Sequence, residues 1–290
     1  MSDSLRGSAG APENPREPQP LEHTLHTPLN GTIRATVAIL LFLSGPATLF
    51  ANPDTDKAEP DVVHESQSVI GESLQGRPIQ AFELGEGDTI LAIIGGIHTG
   101  LEAETVHIVD QLFEHFRSNP QQIPARTRLV FIPMANPDGF ARGARTNARH
   151  VDLNRNWPTD NWQPEAVHGE TPVSAGSEPL SEPETRALYE YLVELTPNIV
   201  LSYHGYASLV DDNGVTQGAD VDAHRLAAAY AEATGFRHID EWLFYPITGD
   251  LITALGEEGI PAADVELLHA DHNAFERNLR GVEAVLEALP

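Results

Sequence analysis

The ten residues Gly95-Gly-Ile-His-Thr-Gly-Leu-Glu-Ala-Glu104 decide how the chain reads. They follow an apolar run, Ile90 to Ile94, that predicts a buried strand. They precede Thr105 to Phe116, whose apolar positions recur at helical spacing. In an open α/β sheet such a strand–turn–helix junction lies at the carboxyl end of the strand, where ligands bind. His98 and Glu102, four residues apart, can therefore face one point. Zinc takes such ligands. A catalytic zinc needs three protein donors and an open position for water, and two histidines with one glutamate serve as that set. The third donor must come from another part of the chain.

Working outward, 290 residues with 41% apolar content suit one sizeable domain. Residues 1–51 stand apart from it. Met1 to Asn30 is rich in Pro, Ser and Glu without apolar periodicity, so disorder is expected there. Arg34 then precedes Ala35 to Leu43, apolar except for Thr36, followed by Ser-Gly-Pro46 and a run to Ala51. This reads as an export signal, with an uncleaved anchor as the alternative. The apolar core is short and broken by Gly45 and Pro46, and Ala47 or Ala51 could permit cleavage. Export to the periplasm or beyond is the localisation this implies. Residues 52–67, acidic and with two prolines, read as a linker. The domain is placed at residues 68–290. There is no cysteine, so thiolate metal sites and disulfides are excluded.

Net charge is −26. Of 43 acids and 17 bases, only four and three lie before residue 52, so the charge belongs to the domain. A nucleic-acid partner is unfavourable, because phosphate binding needs a basic face. Most of the acidity reads as a solvated surface. Against it, Arg142, Arg145, Arg149 and Arg155 concentrate positive charge in one short stretch, which in a cleft would attract carboxylates.

Further strands are predicted at Arg128 to Ile132, Asn198 to Tyr203 and Ala262 to Leu267, with helices from about Leu101 to Arg117, from a Ser181 cap to Leu195, over Asp222 to Ala233, Gly249 to Gly256 and Asn273 to Leu289. Asn136-Pro-Asp-Gly139 has strong turn chemistry. The alternation indicates an α/β domain whose mixed, largely parallel sheet is covered by helices on both faces. His204 falls at the end of the third strand. With His98 and Glu102 it would meet in one cleft. Glu104 is a rival to Glu102, disfavoured because it should point away once the helix has begun. His107, His150, His168, His224, His269 and His272 have no partner at ligand spacing and read as surface or core residues.

At this point five blocks occur in an order that resembles the zinc carboxypeptidases of the carboxypeptidase A type: Gly-Gly-Ile-His98 with Glu102, Asn136-Pro-Asp-Gly139, Arg145 through Asp152-Leu-Asn-Arg-Asn-Trp157, Ser202-Tyr-His204 and Val265-Glu-Leu267. The short bacterial members, including murein peptide amidases, are most similar. The likeness covers nearly all of residues 68–290, including Ile70 to Pro78 as a first strand and turn. It implies one zinc per chain on His98, Glu102 and His204, and Glu266 as general base. It also implies that Asn154 and Arg155 hold a substrate's terminal carboxylate, that Arg145 polarises the scissile carbonyl, that Tyr245 closes over the substrate and that Asp152 orients His98. For Tyr245 a core aromatic at a strand end is the alternative. The family's usual His-x-x-Glu spacing is lengthened here by one residue. Aligned from Tyr245, Ile252 falls at the base of the specificity pocket and favours an apolar side chain. A two-residue shift places Asp250 there instead and favours an amine such as that of diaminopimelate, which is the reading preferred.

The implied activity is zinc-dependent hydrolysis of the terminal amide bond of short peptides with a free carboxylate, with murein peptides as candidates. Two alternatives stand beside it: a catalytically silent zinc- or peptide-binding module on the same fold, and an acyl-amino-acid deacylase. A short peptide is the expected partner, with no membrane contact beyond the N-terminal signal or anchor.

Overall fold

In the computed structural model, residues 64–212, 220–240 and 242–290 are described. The chain divides into two compact units, Met1–Thr55 and Asp56–Pro290; the account below concerns the second. The lead and export signal expected before residue 52, and the linker as far as residue 63, lie outside the described residues. No helix among the described residues is long and apolar enough to cross a membrane.

The first two strands, β1 (Glu65–Glu72) and β2 (Pro78–Gly85), form an antiparallel hairpin. β1 thus begins ahead of Ser68. The predicted strand before His98 is β3 (Thr89–Ile94), and the helix after it is α1 (Glu104–Ser118). β4 (Thr127–Ile132) follows, then α2 (Pro137–Arg142), a two-stranded ribbon of β5 (Glu165–His168) and β6 (Thr171–Ser174), and α3 (Pro183–Leu195). β7 (Ile199–Gly205), β8 (Leu209–Asp211), α4 (Asp220–Thr234), β9 (Arg237–Ile239), α5 (Leu251–Glu257), β10 (Ala262–Leu267) and α6 (Ala274–Ala288) complete the domain. Two expectations change. Asn136-Pro-Asp-Gly139 opens a short helix, because the Asn136 side chain accepts from Gly139 N at 2.8 Å and Pro137 occupies the first turn. The α3 cap is Glu182 rather than Ser181, whose hydroxyl instead accepts from the Asn156 amide at 3.0 Å.

Eight strands form one sheet in the order β1-β2-β4-β3-β7-β10-β8-β9. Pairings β3·β4, β3·β7, β7·β10 and β8·β9 are parallel, and β1·β2, β2·β4 and β8·β10 are antiparallel, as a mixed, largely parallel sheet requires. β3 alternates between two cores: Leu91 and Ile93 face one, and Ile90, Ala92 and Ile94 face the other. Helices α1, α4 and α6 supply the first core through residues such as Leu112, Tyr230 and Val282. Helices α3 and α5 supply the second through Leu188, Leu192, Leu251 and Leu255. Both faces of the sheet are therefore covered, which explains why β3 is an unbroken apolar run.

The topology also locates a ligand crevice. From β3 the chain passes to β4 on one side, whereas β7 lies on the other. The strand order reverses between β3 and β7, and ligands bind outside the carboxyl ends of strands at such a point.

The helix layer on the first face is tightly built. At Gly281 of α6, a Cβ would sit 2.5 Å from Tyr230 Cε2 and 2.8 Å from Thr234 Cγ2 of α4. Tyr230 cannot easily yield, since it is fully buried and its hydroxyl is bonded to Asn278 and, at 2.9 Å, to Tyr203. Overpacking of about 1–3 kcal/mol should exceed the gain of about 1 kcal/mol that alanine brings to a helix. Gly281→Ala is expected to lower the urea midpoint with an unchanged slope; an unchanged or higher midpoint would show that the α4–α6 contact is not rigid.

Candidate metal centre and active site

Three strand ends deliver the site. After β3 the chain turns at Gly95-Gly96, and Gly96 adopts φ +66°, a left-handed conformation that favours glycine. A Cβ on Gly95 would lie 2.7 Å from Thr105 O, so the strand and helix approach too closely there for a side chain. The Thr105 hydroxyl fastens this turn, accepting from Gly96 N at 3.1 Å and donating to Glu102 O at 2.8 Å. A single 3-10 turn over Gly100–Glu102 then brings Glu102 back toward His98. That tighter turn accommodates the four-residue spacing. Glu102 Oε2 accepts from Gly205 N at 3.2 Å, which ties it to the end of β7 beside His204.

The donor atoms form a triangle. His98 Nδ1 lies 3.2 Å from His204 Nδ1 and 3.4 Å from Glu102 Oε2, and His204 Nδ1 lies 3.8 Å from the same oxygen. A tetrahedral ion with bonds of about 2.0–2.1 Å separates its ligands by about 3.3 Å, so these side chains fit a zinc with little adjustment. Both rings are held in the orientation this needs. His98 Nε2 meets Asp152 Oδ1 at 2.7 Å, and His204 Nε2 meets Ser202 Oγ at 2.9 Å, which leaves each Nδ1 facing the triangle. Glu104 opens α1, half-buried and outside this cluster. Glu102 is thus the carboxylate that the fold presents.

Charge around the triangle is arranged for a cation. Burial by itself would raise Glu102, but His98, hydrogen bonds from both histidines and Arg145 hold it well below the usual carboxylate range. Asp152 behaves alike: burial opposes ionisation, and His98 with Arg145 outweighs it. Burial would lower His204, yet Asp264, Glu102 and Glu266 raise it to about 10. Several carboxylates and two imidazoles therefore converge where positive charge is favoured. Glu266 differs. Burial pushes its carboxyl up to about 7 against the pull of His204. It stands beside His204 in the parallel register of β10 with β7, on the same face of the sheet.

A cavity of about 190 Å³ opens over these groups. It is smaller than sites for drug-sized ligands, which suits one terminal residue. Arg145 lines it, its Nη1 donating to Glu102 Oε1 and its Nε to Asp152 Oδ2 at 3.1 Å. Arg155 also lines it and is only 2% exposed. Its guanidinium donates to carbonyls, Val167 O at 3.2 Å and Asn154 O at 2.5 Å, and makes no ion pair among the described residues. Asn154 accepts from Leu251 N at 2.9 Å through its side-chain oxygen, leaving its amide N–H groups for the cavity. Tyr245 forms a wall, edge-on to His168 and Trp242 with ring centroids 5.9 and 5.4 Å away. Burial raises its phenol, and Arg155 and Arg145 draw it down in part.

The specificity residues expected in α5 are not in this wall. Asp250 is the N-cap of α5, its Oδ2 accepting from Thr253 N at 3.1 Å and Thr253 Oγ1 at 2.9 Å, and Ile252 is packed into the second core. Besides Glu102 and Glu266, the carboxylate that reaches the cavity is Asp264. It is 9% exposed, and its Oδ1 lies 3.4 Å from His204 Nε2 without a hydrogen-bond partner among the described residues. A period-of-two reading back from Glu266 would have found it, since residues i and i−2 of a strand share a face. His168, read from the sequence as a surface or core residue, also lines the cavity, as does Trp242, which nothing local in the sequence marks. Of the arginine cluster, only Arg145 and Arg155 enter the cavity; Arg149 pairs with Glu182 at 3.4 Å and Arg142 is exposed.

Comparison with known proteins agrees with this geometry. A family model for zinc carboxypeptidases matches residues 54–238, over half of the chain. The chain therefore belongs to the zinc carboxypeptidase family, which makes it a zinc metallopeptidase by class. It is 29% identical over 162 residues to murein peptide amidase A of Escherichia coli (strain K12), covering 53% of this chain and 62% of that protein. It is also 29% identical over 165 residues to carboxypeptidase B of Astacus astacus, covering 48% and 54%. The chain spans less than two thirds of the length of these relatives. The crystal structure of murein-tripeptide amidase MpaA from Escherichia coli O157 superposes with a TM-score of 0.62 at 24% identity, over 79% of this chain and 95% of that one, a likeness of fold. The family match ends at residue 238, so Tyr245, Asp264 and Glu266 lie outside the matched residues.

Zinc that survives gel filtration should stay at about one per chain in Glu104→Gln and fall toward none in Glu102→Gln, as counted by plasma mass spectrometry. Retention by Glu102→Gln with loss from Glu104→Gln would reverse the ligand assignment.

Proposed function

We propose that this protein is an exported zinc-dependent carboxypeptidase that hydrolyses the terminal amide bond of short peptides with a free carboxylate, and that murein peptides containing diaminopimelate are its substrates. The observation that carries this reading is Arg155, a buried guanidinium in the cavity wall that donates to two carbonyls, shares a hydrogen bond with the Tyr245 phenol and makes no ion pair among the described residues. Such a group is costly unless a carboxylate reaches it, and its planar fork pairs bidentately with one. The name of the Escherichia coli relative, and the export signal read in the sequence, support the choice of cell-wall peptides.

Zinc held by His98, Glu102 and His204 would serve as a Lewis acid, lowering the pKa of water to about 7 and polarising the scissile carbonyl. Arg155 and the Asn154 amide bind the terminal carboxylate and so fix which end of a peptide enters. Glu266 takes the proton of the attacking water and returns it to the leaving amine. Arg145, held by Glu102 and Asp152, keeps positive charge beside the oxygen on which negative charge develops. Tyr245 and Trp242 exclude water from the bound residue. Asp264, the cavity carboxylate beside His204, meets the side-chain amine of diaminopimelate, where the sequence reading preferred Asp250. A silent binding module has no use for Glu266 at this position, and an acyl-amino-acid deacylase is not expected to keep both the Asn136 and the Asn154 blocks.

One steady-state panel tests this. Glu266→Gln should keep zinc and KM yet lose about 100-fold to 10,000-fold in kcat. Arg155→Ala should weaken transition-state binding of a free-acid peptide by about 1.5–3 kcal/mol. Asp264→Asn should raise KM only for amine-bearing side chains, and Asp250→Asn should not. Near-normal turnover by Glu266→Gln would remove the base from the mechanism, and a uniform effect of Asp264→Asn across side chains would remove it from the pocket.

A further inference from the structure

A second convergence of metal-ligating side chains lies at the β8–β9 edge of the sheet. Asp212 follows β8, His238 is the middle residue of β9, and His224 lies in α4. Both imidazoles reach one carboxylate oxygen. His238 Nε2 is 2.8 Å and His224 Nδ1 is 3.0 Å from Asp212 Oδ2. The rings are 4.7 Å apart and tilted by 50°, and the three donor atoms all lie within 4.8 Å of one another. These are separations of the kind seen in the catalytic triangle, differing from the tetrahedral spacing of about 3.3 Å by a few tenths of an ångström at the two nitrogen–oxygen edges.

Three features bear on what this cluster can hold. Two imidazoles and one carboxylate suit zinc or a similar divalent transition metal, whereas calcium and magnesium take oxygen ligands. The Asp212 side chain is 2% exposed and that of His238 19%, so two donors are fixed in the protein, while the His224 side chain at 58% leaves a side open for the ion to enter and for water to complete its shell. The three donors also belong to three different elements. The register of β8 with β9 places Val210 opposite His238, and Asp212 N donates to Ile239 O at 3.4 Å, so the cluster is centred on the β9 edge of the sheet. An ion there would join β8, β9 and α4.

We propose that Asp212, His224 and His238 bind a second divalent transition-metal ion, zinc or one of like ligand preference, distinct from the catalytic centre. Its place gives it a structural task. β9 is the last strand before the segment bearing Trp242 and Tyr245, two walls of the cavity, so fastening β9 to α4 fixes the root of that segment. The sequence gives little sign of this. Asp212, His224 and His238 are far apart in the chain, and only the parallel pairing of β8 with β9 and the packing of α4 on both bring them together.

The test is equilibrium zinc binding by the full-length protein, stripped with chelator and titrated with zinc alone, followed by cobalt substitution to read coordination from visible absorption. Wild type should take up two ions, one tight and one weaker. His224→Gln, an exposed substitution that the fold tolerates, should keep the tight ion and weaken the second by at least about tenfold. Asp212→Asn should do the same. His98→Ala should lose the tight ion and keep the second, with its cobalt spectrum intact. Uptake of a single ion by wild type, or a second ion indifferent to His224→Gln, would overturn the proposal and leave the cluster as a hydrogen-bonded lock between β9 and α4.

Discussion

Everything in the catalytic cleft depends on holding two imidazole nitrogens and one carboxylate oxygen within 3.2–3.8 Å of one another in the protein interior. Such an arrangement is unfavourable unless every other polar atom of those side chains is satisfied. The fold does this through shared partners. Asp152 takes His98 Nε2 on one oxygen and Arg145 Nε on the other, and Arg145 reaches on to Glu102. Ser202 takes His204, and Gly205 N takes Glu102. The centre is thus a closed network in which the strand ends, the 3-10 turn and the loop after α2 are mutually fixed. This is why a buried aspartate with no direct part in the chemistry is as necessary to the site as its ligands.

How much of this was legible in the sequence follows from physical range. The strands at 90–94, 128–132, 198–203 and 262–267 were legible because strands buried on both faces are continuous apolar runs with turn chemistry at their ends. The triangle was legible because each ligand sits where such a strand stops. Short edge strands carry no such signal: β8 and β9 have three residues each, and the β5–β6 ribbon is largely exposed. Asp250 falls outside the cavity wall for a definite reason. That residue caps α5, a local need that any Asp before a helix can satisfy, whereas Asp264 reaches the cavity only because β10 pairs with β7 in a register that sets Asp264 beside Ser202 and Glu266 beside His204. Register is not visible in one strand.

Charge has a similar lesson. A chain at −26 uses its few cations selectively. Arg145 is held by two carboxylates, while Arg155, a short distance along the chain, is buried against carbonyls and the Tyr245 phenol and makes no ion pair among the described residues. The two arginines look alike in sequence and differ in what the fold places beside them. On the proposed function, a long-range acidic field around one local positive point would disfavour large anionic proteins and still admit a short peptide.

The central claim is that this cleft is built around a metal and a terminal carboxylate together. It is tested most directly by comparing kcat/KM of the zinc-loaded wild-type protein for one peptide as free acid and as its terminal amide, each before and after chelation. The account predicts cleavage of the free acid, a loss of at least about tenfold for the amide, as one charged hydrogen bond implies, and loss of both activities with the metal. Equal rates for acid and amide, or activity that survives chelation, would contradict it.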